Sequence, residues 1–177
     1  MEDTPNRMPK MSSSDFEELQ EMRKRLLDAQ NNRELLAIHE AGHAAVAEHL
    51  NMSVKRVVLR DPNSSFTELE QRPRSKETLL DDLTVVQDGY CAALKQVGEE
   101  YIARANCGFD YISISKFFAA LSISENEQAQ WVTQAEEISQ RIVEQEWASI
   151  KKLASVLLQN EETEGGEVRR ILAEAKQ

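Results

Sequence analysis

A mainly α-helical fold with a small β-hairpin is what this sequence predicts, on three observations. Glycine and proline are scarce, six and four in 177 residues, and aromatic residues make up only 6%; that combination disfavours a many-stranded sandwich. Apolar residues recur at three- and four-residue spacing over most of the chain. Only one stretch, residues 53–71, changes to β-branched alternation.

Taken in order, residues 1 to about 13 (MEDTPNRMPKMSS) are polar and aperiodic, which predicts a disordered tail. Residues 14–33 hold a separate N-terminal helix. Ser14-x-x-Glu17 matches a capping box, and Phe16, Leu19, Met22 and Leu26 fall at helical spacing, so the helix covers about 15–29. Asn31 or Asn32 caps the next helix, which runs to about residue 50 and opens a compact domain over 34–177. Residues 54–60, within SVKRVVLRD, read as a strand, Asp61-Pro62-Asn63 as a turn, and SFTELEQ as a second, edge-like strand. RPRSKE is a polar loop. Leu79 to Ala105 reads as helix, with Leu83, Val86, Tyr90, Leu94 and Val97 on one stripe and Gly108 as its stop. Further helices are predicted from near Asp110 to about Leu121, over about 125–159, and over about 165–175 after Gly165-Gly166.

The formal net charge is −10. Such a surface repels phosphate backbones, so no nucleic-acid partner is expected. The two cysteines, Cys91 and Cys107, form no CxxC pair, which disfavours a thiolate zinc site. With no signal peptide to indicate an oxidising compartment, both are expected to be reduced thiols of a cytoplasmic protein. No apolar run approaches the length needed to span a bilayer, so no integral membrane segment is expected.

The most informative stretch is LAIHEAGHAAVAEHL, residues 36–50. His39 and His43 are four apart and project from one face of a helix. Two imidazoles one turn apart can grip a tetrahedral zinc ion, and Glu40 can then take a proton from a water at the ion's open position. HExxH is a short pattern that also arises without a metal. The flanking residues here, however, are small and apolar, so the helix should be buried, and burying three polar side chains is costly unless something satisfies them. Gly42 costs a helix roughly 1 kcal/mol against alanine, which points to close packing at that position.

A third ligand is needed. His49 lies six residues after His43, as in HExxHxxGxxH, but that pattern needs glycine where this sequence has Val46. If the helix continues, His49 points about 80° away from His39. The expectation for His49 is a helix-end residue favoured by the helix dipole.

The stretch closely resembles the motif helix of the proteolytic domain of FtsH-type zinc metalloproteases. SVKRVVLR resembles that family's first strand. ANCGFDYISISKFFAAL resembles its Gly-x-x-x-Asp-Leu-x-x-Ala-Thr segment, and IKKLASVLLQNEETEGGEVRRIL resembles its closing segment. The likeness covers about 34–173. It implies a compact helical metallopeptidase domain with Zn2+ as cofactor, His39, His43 and Asp110 as ligands, and Glu40 as catalytic base. Asp110 also suits a helix N-cap, and Asp81, Asp82 and Asp88 are weaker alternatives for the third ligand.

The sequence departs from the family in several places. No GxxxxGK[ST] motif is present, so the chain is expected to lack its own ATPase. The family's Gly-rich strand is replaced by NSSFTELEQ, and Ser115-Lys116 stands near where Ala-Thr is expected. The resemblance therefore implies a zinc-dependent metalloendopeptidase acting on peptide or unfolded protein, with a separate ATPase or self-association as the partners to look for. The alternative is a catalytically inactive or non-proteolytic zinc-stabilised helical module that binds a partner protein. The intact Glu40 favours the enzyme.

Overall fold

A computed structural model of the protein describes residues 12–176. The disorder expected over 1–13 falls almost wholly outside them. The first helix, α1 (Ser13–Gln30), starts earlier than the sequence suggested. Ser12 rather than Ser14 caps it: its hydroxyl accepts from the Asp15 amide while the Asp15 carboxylate accepts from the Ser12 amide. The reciprocal bond pair is the expected one, formed two residues upstream by Ser-x-x-Asp.

Helix α2 (Arg33–His49) is capped by Asn32, whose side chain accepts from the Glu34 and Leu35 amides. Thirteen of its 17 residues are buried, as small apolar residues all round a helix require. It packs against α3 (Leu79–Val97) and the unbroken 36-residue α6 (Glu125–Asn160). Gly42 sits where α2 packs tightly on α3: a Cβ there would meet Ala92 Cβ at 2.8 Å and the Asp88 carbonyl at 3.0 Å. The glycine thus allows the close packing that its helix penalty implied.

The expected hairpin forms from β1 (Val54–Val58) and β2 (Phe66–Leu69), antiparallel, with Val57 opposite Thr67 and Val58 opposite Phe66. A third strand joins it. β3 (Glu162–Glu164) pairs antiparallel with the other edge of β1, giving the order β2-β1-β3. Thr163 of β3 points inward opposite Val57, while Arg56 reaches Glu162 on one side and Glu68 on the other. β2 is left as an edge strand facing the cleft described below.

The long helix expected over 79–105 is interrupted. α3 ends at Gly98, which takes the left-handed conformation that closes a helix. A short α4 (Glu100–Ala103) and a 3-10 turn (Arg104–Asn106) follow. Gly108, expected as a stop, is instead the first residue of α5 (Gly108–Ala120). α7 (Gly165–Glu174) closes the chain against β1 and α6. The main core lies between α2, α3, α6 and α7. A second apolar cluster, including Leu83, Ile114, Phe117, Phe118 and Ala135, fixes α5 against α3 and α6. That second cluster decides where the start of α5 sits relative to α2. No helix among the described residues is long and apolar enough to cross a membrane.

Candidate metal centre

His39 and His43 lie one turn apart on the buried face of α2 and are 3% and 8% exposed. Their Nε2 atoms face each other at 3.1 Å. Asp110, in the first turn of α5, brings Oδ2 to 3.2 Å from His39 Nε2 and Oδ1 to 3.5 Å from His43 Nε2. In a tetrahedron with metal–nitrogen and metal–oxygen distances of 2.0–2.1 Å, neighbouring donors stand about 3.3 Å apart. The three side chains therefore already have the spacing of ligands around one ion.

The tautomer of His43 follows from its other nitrogen. Nδ1 lies 2.6 Å from the carbonyl oxygen of Val85 on α3, and a carbonyl can only accept. Nδ1 is then the donor, and in the neutral ring the lone pair sits on Nε2, aimed at His39 and Asp110. Asp110 Oδ2 is buried without a hydrogen-bond partner. These donors fit a divalent ion.

Without an ion, the charges rearrange. Burial works to lower the pKa of His43, but the adjacent Asp110 carboxylate outweighs it and pushes the imidazole up to about 10. Burial likewise works to raise Asp110, and the two imidazoles overcome it, holding the carboxyl well below the usual range. The two groups thus favour each other's charged forms, so an ion entering the site competes with a proton for the imidazole.

Glu40 follows His39 on the same helix and is 5% exposed. Thr67 Oγ1, on β2, lies 3.0 Å from both the Glu40 carboxylate and its carbonyl. Burial raises the Glu40 carboxyl above its ordinary value, opposed by the two histidines and by the Thr67 bond. The four groups line a cleft of about 370 Å³ whose walls include Phe66, Leu69, Val86 and Phe109.

The other residues weighed from sequence lie elsewhere. His49 turns to Glu146 on α6, with Nδ1 at 3.0 Å from Oε1. Asp81 is half-buried with Arg72 at 3.8 Å, Asp82 pairs with Arg72 at 2.8 Å, and Asp88 is buried against Ser139. Thr67 on β2, and the Val85 carbonyl and Gly89 on α3, where a Cβ on Gly89 would meet the rings of His39 and His43, carry no sequence signal of their own, because they reach α2 only through the tertiary fold. Cys107 had a weak one, standing three residues before Asp110 at a helix start. Cys91 and Cys107 are both buried and unpaired with each other. Compared with known proteins, the chain matches no family model, and no curated protein matches its sequence closely enough to argue from.

Proposed function

We propose that the protein is an FtsH-like zinc-dependent endopeptidase, with His39, His43 and Asp110 as metal ligands and Glu40 as general base. The observation that carries this reading is the convergence of three donors at 3.1–3.5 Å, with a buried glutamate next to His39 in the same cleft. A zinc ion held there supplies Lewis acidity for a peptide carbonyl and brings the pKa of a water toward about 7.

The remaining work falls to the chain. Val85 orients His43 through Nδ1, leaving Nε2 free to ligate. Glu40 takes the proton of the attacking water and delivers it to the leaving amine. Burial raises its carboxyl above the ordinary value, so it holds a proton more readily than an exposed glutamate. Thr67 holds one carboxylate oxygen in place. β2 offers an unpaired edge beside the same cleft, onto which an extended peptide can add as a further strand. Phe66, Leu69 and Val86 give that strand apolar contacts.

The test is metal content per purified chain, measured for wild type and Asp110→Ala, together with cleavage of an unstructured labelled polypeptide by wild type and Glu40→Gln. One zinc per chain, lost in Asp110→Ala, with cleavage abolished and metal retained in Glu40→Gln, is the expected result. Zinc without cleavage would favour a zinc-stabilised binding module. Absence of metal from a folded wild type purified without chelator would overturn the reading.

A further inference from the structure

Cys107 stands at the N-cap of α5, three residues before Asp110. Its Sγ, a ring nitrogen of His39 and a carboxylate oxygen of Asp110 all lie within 4.8 Å of one another. The thiol is 1% exposed, and it donates to the Ala103 carbonyl at 3.5 Å, an ordinary distance for sulfur. A thiol is a weak donor, so little is lost if it turns away. Around a tetrahedral zinc ion, a thiolate sulfur and an imidazole nitrogen stand roughly 3.6 Å apart, so the sulfur, already within 4.8 Å of His39 and Asp110, joins the set by closing to that spacing.

The other cysteine provides a contrast. Cys91 is equally buried, at 3%, yet it belongs to no group of donors among the described residues. Cys107 shares its group with His39 and with Asp110, whose Oδ2 is buried without a hydrogen-bond partner. An ion held by His39 and Asp110 has the Cys107 sulfur within reach as a further donor.

We propose that Cys107 is a fourth protein ligand which closes the metal site in the resting state. Coordination releases the thiol proton to solvent, and the ion then sits among His39, His43, Asp110 and Cys107 with no open position. The thiolate must leave before a water can take its place beside Glu40, so peptide hydrolysis is gated by one side chain at the start of α5. A soft sulfur donor also biases the site toward zinc over magnesium or calcium. This inference rests on the metal-site reading above.

The probe is cobalt(II) added to the purified full chain, followed by its electronic spectrum. Wild type and Cys91→Ser are expected to show a near-ultraviolet thiolate-to-cobalt charge-transfer band. Cys107→Ser is expected to lose that band while keeping the visible cobalt bands and one metal per chain, and with zinc in place of cobalt it should cleave peptide faster than wild type. Visible cobalt bands without charge transfer in the wild type would overturn the fourth ligand and leave the three-ligand site standing, however the variant behaves. A charge-transfer band that survives Cys107→Ser would overturn it as well. A wild type that takes up no cobalt would overturn both readings.

Discussion

Gly89 of α3 faces the imidazole of His39 with no space between them for a methyl group. A Cβ built on Gly89 would stand 2.4 Å from His39 Cε1 and 2.5 Å from His43 Nε2. Real Cβ atoms do not approach that closely, so any other residue here must push the two rings apart or push α3 off α2. The expected result for Gly89→Ala is at least tenfold weaker metal binding, the scale seen when groups that orient ligands are lost. The cost in stability is about 1–3 kcal/mol, as for an overpacked core. Metal titration alongside thermal unfolding checks this. Wild-type affinity in the variant would mean that the rings are free to shift.

Thr67 links the sheet to the proposed base, its hydroxyl lying 3.0 Å from the Glu40 carboxylate. Burial raises the Glu40 carboxyl, and the Thr67 bond is one of the contacts that oppose it. In Thr67→Val that opposition goes and the pKa rises further. A general base must be ionised to act, so the acid limb of the kcat/KM profile should move to higher pH, with kcat falling about tenfold as the carboxylate loses its anchor. A pH–rate profile superimposable on the wild type would show that Thr67 does not position Glu40.

What the sequence revealed and what it hid divide along physical lines. The motif helix was legible because its signal is local: three polar side chains in a fixed spacing among small apolar residues. Burial of α2 and the close approach at Gly42 followed from the same few residues. Asp110 was reached through resemblance, since nothing local distinguishes a ligand from an N-cap; it stands beside both imidazoles only because Phe117 and Phe118 dock α5 against α3 and α6. β3 escaped notice because Glu-Thr-Glu is short and acidic, and its pairing depends on Arg56 and on one inward threonine. The break in the 79–105 helix was assigned to Gly108, although Gly98 is the residue in left-handed conformation. A glycine inside a helical pattern does not announce whether it ends the helix, starts one, or makes room for a neighbour as Gly89 does.

Asp88, one residue before Gly89, is fully buried. One of its carboxylate oxygens accepts from Ser139 and the other is buried without a partner. Burial raises its pKa well above the ordinary 3.8. A carboxyl raised in the folded state gives stability that is complete below its unfolded pKa and is lost as pH climbs toward its folded one. The contribution of Asp88 to stability should therefore fade as pH rises above about 4. Asp88→Asn keeps an acceptor for Ser139 and cannot ionise. Its unfolding midpoint should be flatter across this range and, near pH 8, should exceed the wild type by about 1–2 kcal/mol, the size of a buried polar group's unmet solvation. Denaturant melts at two pH values settle the matter, and parallel pH dependences in the two proteins would sink it.

His49 is the residue that a simple reading of motif spacing would place on the metal. Its Nδ1 instead lies 3.0 Å from Glu146 Oε1, the same oxygen that Lys176 approaches at 2.7 Å. Glu146 is 5% exposed. Burial works to raise its carboxyl, and Lys176 with His49 overcomes this and holds it below the ordinary 4.5. A carboxyl lowered in the folded state gives stability that is present above its unfolded pKa and fades as pH falls through the folded one. His49→Ala should therefore keep the wild-type metal content and the wild-type cleavage rate. It should lose roughly 0.5–1 kcal/mol of stability near neutral pH, toward the low end of a hydrogen bond's net worth because the imidazole is partly exposed. That loss should shrink as the medium is acidified past the point where Glu146 takes up its proton. Metal analysis and denaturant melts on one variant thus separate a histidine that holds α2 to α6 from one that holds an ion; a variant that came through purification without metal would return His49 to the ligand set.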